Sequence, residues 1–336
     1  MNPRISIVLN TKQELYPMPG LEDESIYSIL IKYLKEQSFD NFELIIVDGY
    51  FEERKDSFQY LKLPFPFKYT HPKPSPWDNH EHAIHISSDR NTGIMLARGE
   101  LIMCLDDCIV PMFGDTFQQI IEWWDKGFLL RPMLNGKDYE TTDPTGTGFC
   151  FIDDFYKEMK KHPERKLGSG LFVASGHRGG VFLFPAWIYE RLNGFDERFD
   201  SMKRNQDCDF TDRADMLGIK RFSFPREHPF VRIEHAHEIY NLNTNFVCNE
   251  AYMQYARIQT QHHGETRANQ RILDSSDVEA IKSRCKSCHL QGACKKDEPP
   301  GLDFYLKYQP VFDLAAKRKE MIQRYGEATG VVEVEW

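Results

Sequence analysis

Two acids in succession, Asp106-Asp107, follow the run ELIMCL at 100–105. Adjacent carboxylates at the end of a buried strand are costly unless something positive joins them. Mg²⁺ and Mn²⁺ favour a few carboxylates together with phosphate oxygens, so the chemistry on offer is a divalent cation bridging a diphosphate. Taken alone, the pair reads more readily as a turn cap beside a solvated acid. A second signal is Cys285-x-x-Cys288-His289 with Cys294 six residues beyond Cys288. CxxC makes a two-thiolate knuckle, Cys294 adds a third thiolate, and His289, Cys248, His262 or His263 would complete a tetrahedral Zn²⁺ site. An iron–sulfur cluster needs a fourth ligand that the local sequence does not offer plainly. Three unligated cysteines in a reducing compartment are the plain alternative.

The acids need elements to hold them. Residues 5–9 form a short β-branched run ending at Asn10-Thr11, the spacing over 25–37 predicts a helix, and 42–47 (FELIIV) is apolar on both faces up to Asp48-Gly49. A strand buried on both faces belongs to a parallel sheet, and the strand–helix–strand order is a βαβ unit. Its ligands bind beyond the carboxyl ends of the strands, where Asn10, Thr11 and Asp48 fall. The Pro-rich stretch 64–76 reads as a loop. Helices are expected at 90–97, 117–124, 187–192 and 209–217, strands at 100–105 and 181–184, and loop at 141–148. Beyond 238 the chain turns polar, His- and Gln-rich and helical in pattern, which divides it into an α/β domain at 1–240 and an extension at 241–336.

The segment Ser88-Asp89-Arg90-Asn91-Thr92-Gly93-Ile94-Met95-Leu96-Ala97-Arg98-Gly99-Glu100 leads straight into the acids. Leu192-Asn193-Gly194-Phe195-Asp196-Glu197 and then Asn205-Gln206-Asp207-Cys208-Asp209 follow in order. Over about residues 4–237 this ordered set resembles glycosyltransferase family 2, inverting enzymes of the GT-A fold. The fold implied is a Rossmann-like mixed sheet flanked by helices, extended by a mostly helical, Cys-containing tail.

The resemblance also implies roles. Asp48 matches the family's nucleobase contact, although the family has Asp-Asp-Gly-Ser where this chain has Asp48-Gly49-Tyr50. Asn10 and Thr11 would line the same base and ribose pocket, and Arg90 and Asn91 resemble contacts near the nucleotide. Asp106-Asp107-Cys108 occupies the family's Asp-x-Asp motif, in which the first acid commonly holds ribose and the last holds the metal. A thiolate suits Mg²⁺ or Mn²⁺ poorly, which shifts the ligand role to Asp107. His235 and His237, which a strand would point to one face, are candidates for a further ligand. Asp207 matches the catalytic base, preceded by Gln206 where the family has an acid. Asp209 is the rival base, with helix N-cap as its favoured role. Asp196 and Glu197 are expected to steady the loop before the base. Gly179-Gly180 would let backbone approach the sugar, a plain tight turn being equally compatible.

Composition bounds the partners. The 336 residues are 41% hydrophobic and 28% charged, with formal net charge −9, which excludes a disordered chain and a globally basic, phosphate-seeking one. No apolar run approaches the roughly 18 residues of a membrane span, which argues against a processive polysaccharide synthase. The amino-terminal stretch does not read as a signal peptide and no disulfide framework is visible, so a cytoplasmic location is expected. The sum is a metal-dependent transferase with a nucleotide-sugar donor, most simply a UDP-sugar, and a hydroxyl acceptor. Two rivals stand beside it. One is a binding module of the same fold that turns nothing over. The other is a transferase acting on a modified base in nucleic acid, docked through the eight Lys/Arg that outnumber four acids between 257 and 296.

Overall fold

The computed structural model describes residues 2–11, 26–58, 62–75, 78, 85–107, 109–111, 113–126, 181–201, 205–217, 230–232, 249–286 and 309–336. The strands are β1 (Ile5–Thr11), β2 (Phe42–Asp48), β3 (Phe67–Thr70), β4 (Leu101–Asp106), β5 (Ile109–Pro111), β6 (Val181–Pro185), β7 (Phe230–Arg232) and β8 (Gly330–Val331). The helices are α1 (Ile26–Lys35), α2 (Phe51–Phe58), α3 (Ile86–Leu96), α4 (Thr116–Asp125), α5 (Ala186–Leu192), α6 (Gln206–Met216), α7 (Asn249–His263), α8 (Ser275–Lys286) and α9 (Leu314–Tyr325), with a 3₁₀ turn at Glu197–Ser201.

Six strands form a mixed sheet in the order β6-β4-β1-β2-β3-β8, and β5 pairs with β7 in a small antiparallel sheet. Within the large sheet only β6 runs antiparallel to its neighbour. The continuous apolar runs have their cause in burial on both faces. Ile7, Leu9, Leu44, Ile46 and Met103 pack toward Leu30 and Leu34 of α1 and Phe117 and Ile120 of α4. The alternate residues Val8, Ile45, Val47, Ile102 and Cys104 pack toward α3, α5, α6 and α9. Each aliphatic side chain so buried stabilises the fold by roughly 1.5–3 kcal/mol.

Helix α3 lies so close to β1 that a Cβ on Gly93 would stand 2.2 Å from Val8 Cγ1. The glycine of Arg90-Asn91-Thr92-Gly93 is therefore what lets this helix press on the central strand and carry Arg90 to the sheet's upper end. The tail beyond 240 returns to the sheet in two places. Helix α9 packs on α3 and α5, and β8 adds a parallel edge strand beside β3, with Lys68 opposite Gly330 and Tyr69 opposite Val331. Helices α7 and α8 build a third core around Tyr252, Met253, Leu273, Val278 and Ile281, which also receives Phe199. No helix among the described residues is long and apolar enough to cross a membrane.

Three local expectations need correction. The Pro-rich stretch is not all loop: Phe67–Thr70, free of proline and bracketed by Pro66 and Pro72, pairs with β2. Helix α3 begins at Ile86 rather than 90, because Asp200, distant in sequence, accepts hydrogen bonds from the Ser87 and Ser88 N–H groups at 2.6 and 2.9 Å. Helix α6 begins at Gln206, entered from Asn205 in left-handed backbone (φ 72°), so Asp209 lies inside the first turn and does not cap it.

Candidate active site

The sheet order reverses around β1, which has β2 and β3 on one side and β4 on the other. The crevice beyond the carboxyl ends of β1 and β4 is therefore a topological switch point, where open α/β sheets bind ligands. Asn10 lies opposite Asp106 in the β1–β4 ladder, and Thr11 lies opposite Asp48 in the β1–β2 ladder. Successive side chains at a strand end point to opposite faces, and this separates the two adjacent acids. Asp106 turns toward α3 and accepts a hydrogen bond from Arg90 Nη2 at 2.8 Å. Asp107, buried, accepts one from the Thr11 hydroxyl at 2.8 Å.

Arg90 is 1% exposed. Its guanidinium carbon lies 5.0 Å from the ring centre of Phe182 and 5.1 Å from that of Phe195, a placement in which aromatic faces favour the cation. Asp207 stands at the start of α6, with its carboxylate accepting from the backbone N–H groups of the helix's first turn. Burial is the largest influence on it and pushes its pKa up; those amide bonds and the nearby Arg90 charge pull it down, while Asp106 pushes it up again. Arg90, Asp106 and Asp207 thus form one electrostatic group. Among the described residues, two buried amide oxygens, Asn10 Oδ1 and Gln206 Oε1, have no hydrogen-bond donor. Buried acceptors of this kind are uncommon and call for a partner.

Several of the sequence-predicted residues face inward. Asp48 is fully buried, taking hydrogen bonds from Tyr50 N–H (2.8 Å), Arg54 Nη1 (3.1 Å) and the Tyr69 hydroxyl (2.8 Å). Asn91, also fully buried, clamps the loop after α5: it donates to Phe195 O (2.9 Å) and Glu197 Oε1 (2.8 Å), and accepts from Phe195 N–H (2.8 Å). Glu197 also meets Lys73 Nζ at 2.7 Å, and Asp196 pairs with Arg198 and the Tyr252 hydroxyl, so both hold the loop. Asp209 is paired with Arg213 at 2.8 Å, whose guanidinium also reaches Leu192 O and Gly194 O. Of the basic residues between 257 and 296, Arg257, Arg271 and Lys282 are matched by Asp212, Asp277 and Glu279 at 3.0 Å or less.

Sequence reading missed the Thr11–Asp107 bond, the contacts of Arg90 with the Phe182 and Phe195 rings, the Asp200 cap on α3, and Asn269. The first follows from strand alternation once β1 and β4 are neighbours; the others join residues too far apart in the chain for spacing to reveal. Gly179, Gly180, His235, His237, Cys108, Cys288, His289 and Cys294 lie outside the described residues. Cys285, half-buried at the end of α8, packs on the third core. Among the described residues no three His, Cys, Asp or Glu side chains gather as a metal cage. The chemistry at the switch point nevertheless fits a hard divalent cation, because Asp106 and the donorless Asn10 Oδ1, opposite each other in the β1–β4 ladder, are both oxygen donors, whereas Asp107 is turned away and bonded to Thr11.

No family model and no curated protein matches the sequence. Among solved structures, the chain is similar to residues 1–349 of S. aureus TarS in complex with UDP-GlcNAc, at 12% identity over 97% of this chain and 92% of that one (TM-score 0.47). It is also similar to the mannosyltransferase PcManGT from Pyrobaculum calidifontis in complex with GDP-Man and Mn²⁺, at 15% identity over 96% and 86% (TM-score 0.43).

Proposed function

We propose that this chain transfers a sugar from a nucleotide-sugar donor to a hydroxyl acceptor with inversion at the anomeric carbon. The observation that carries the reading is the convergence of Arg90, Asp106 and Asp207 at the switch point of the sheet. Asp207 takes the proton of the acceptor hydroxyl while that oxygen forms its bond to the anomeric carbon and the bond to the diphosphate breaks. A carboxylate held above its ordinary pKa suits the task, since a general base works best when its pKa approaches the ambient pH. Arg90 sets a fixed positive charge beside the leaving diphosphate, in a pocket lined by Phe182 and Phe195. Asn10 and Thr11 stand on the base and ribose side. Asp48, whose oxygens are already taken by Tyr50, Arg54 and Tyr69, holds the end of β2. A Mn²⁺ or Mg²⁺ would supply Lewis-acid charge to the diphosphate, and Asp106 and Asn10, neighbours across the β1–β4 ladder, are the residues that would hold it.

A second reading, binding without turnover, is favoured by one feature: Gln206 beside the base cannot share a proton as the family's acid would. Melting curves with UDP and GDP, in Mn²⁺ and in EDTA, test the shared part of both readings. A nucleotide at a hundred times its dissociation constant should add about 2.7 kcal/mol. The expectation is that one nucleotide stabilises the wild type only with Mn²⁺ and that D106A loses the effect. If no nucleotide shifts the wild type, both readings fall. Release of nucleoside diphosphate from UDP-GlcNAc or GDP-Man then separates the transferase from the binder.

A further inference from the structure

We propose that Asn269, far along the tail, is a positioning residue for the base, setting the spacing between Arg90 and the helix that carries Asp207 without touching substrate. The inference rests on the reading of Arg90 and Asp207 as the working pair. Phe195 is the spacer. Its ring lies 5.1 Å from the Arg90 guanidinium carbon and stacks on Phe210 at 4.4 Å and 24°. Phe210 sits on α6, three residues after Asp207, so any shift of Phe195 moves the cation and the base relative to each other.

Phe195 has no freedom of its own, because its backbone is held from two sides. Asn91 on α3 binds both its N–H and its carbonyl, at 2.8 and 2.9 Å. Asn269 donates to the same carbonyl at 2.6 Å and to Asn193 O at 3.1 Å, and accepts from Glu197 N–H at 3.1 Å. Asn269 itself is 0% exposed and adopts φ 54°, a backbone conformation that asparagine and glycine tolerate. Its carbonyl takes the Phe312 N–H at 2.9 Å, and Asn193 answers by donating to Phe312 O at 2.9 Å and accepting from Leu314 N–H at 2.7 Å. Gly194, at φ 74°, is part of the same joint, since a Cβ there would stand 2.3 Å from Asn91 Oδ1. Two asparagines and one glycine thus lock the tail segments around 269 and 312 onto the loop that feeds the base. A side chain with this many directed bonds does more than fill space, and misplacement of a catalytic group by about 1 Å costs about 10²-fold in rate.

N269G removes the three side-chain bonds while tolerating the positive φ, and F195L removes the ring while leaving those bonds in place. Two readouts apply to both variants: turnover of UDP-GlcNAc and GDP-Man with Mn²⁺, and hydrogen exchange of backbone amides. The expected result is kcat down by about 10²-fold with KM for the donor changed less than about twofold, the signature of an interaction that matters at the transition state alone. Exchange should quicken in the first turn of α6 while β1 and β4 keep their protection. Wild-type kcat in N269G, or unchanged exchange in α6, overturns the proposal. So does exchange that rises evenly across the sheet, which marks a merely structural residue. A wild type that binds no nucleotide and turns over no donor sinks the functional reading instead, and the exchange of α6 then still decides whether Asn269 positions this helix.

Discussion

Two buried carboxylates on the same side of one sheet, Glu43 near the amino ends of the strands and Asp207 beyond the carboxyl ends, are treated in opposite ways. Glu43 accepts from Ser6 Oγ (2.7 Å), Lys68 Nζ (2.8 Å), Arg98 N–H (2.7 Å) and Arg98 Nε (3.2 Å). Burial pushes its pKa up, but the Lys68 charge and these bonds outweigh burial and hold it below the ordinary value. Among the described residues Asp207 has the amides of its own helix and a share in Arg90, whose direct bond is to Asp106, and burial wins. Saturated bonding makes Glu43 a structural joint. Incomplete bonding leaves Asp207 able to take a proton, at a cost to the fold. On the proposed function, the same sheet separates stability from chemistry by end.

The comparison can be broken in several ways. K68M leaves a buried charge without its main partner and should destabilise the protein by about 3–5 kcal/mol in denaturant titrations, with the nucleotide effect intact in the folded fraction. Loss of nucleotide stabilisation in folded K68M would deny that the two ends act separately. R90M should lower donor turnover by about 10²–10³-fold through loss of a charge fixed at the leaving group, leaving the global melting behaviour far less affected than K68M does. A smaller effect concerns Asp200, whose pKa burial raises to about 7, with neighbouring Glu197 adding to it and the Ser87 and Ser88 amides opposing. Between its ordinary value near 4 and about 7 the folded state binds more protons than the unfolded one, so stability is fully present at the acid end and is lost as pH rises through about 7. Melting across this window should show a decline of about 1–3 kcal/mol that D200N flattens. An equally steep decline in D200N would assign the pH dependence elsewhere.

Much of the upper end of the sheet was legible from residue order. The apolar runs at 5–9, 42–47 and 100–105 mark strands buried on both faces, and Asn10, Thr11, Asp48 and Asp106 fall at their carboxyl ends for that reason. Whether a polar residue there faces the crevice or the interior was not legible. Asp48 and Asn91 turn inward because Arg54, Tyr69 and the loop after α5 supply partners that only the folded chain brings near. Strand β3 escaped because four residues between prolines are too few for a periodic signal. Asp209 looked like a cap because its spacing suits one; the left-handed backbone at Asn205 starts the helix three residues earlier. Asn269 gave no sign, since 74 residues separate it from the carbonyl of Phe195.

On the proposed function, Asp207 is a base whose burial outweighs its bonds rather than a second Glu43. Release of nucleoside diphosphate from UDP-GlcNAc and GDP-Man with Mn²⁺, compared between wild type and D207N and paired with their melting temperatures at neutral pH, tests it most directly. Turnover in D207N should be lower by about 10²–10⁴-fold, with a melting temperature equal to or above that of the wild type, because a buried acid of raised pKa opposes folding once ionised. Wild-type turnover in D207N, or a melting temperature that falls as it does when a saturated joint is cut, would contradict it.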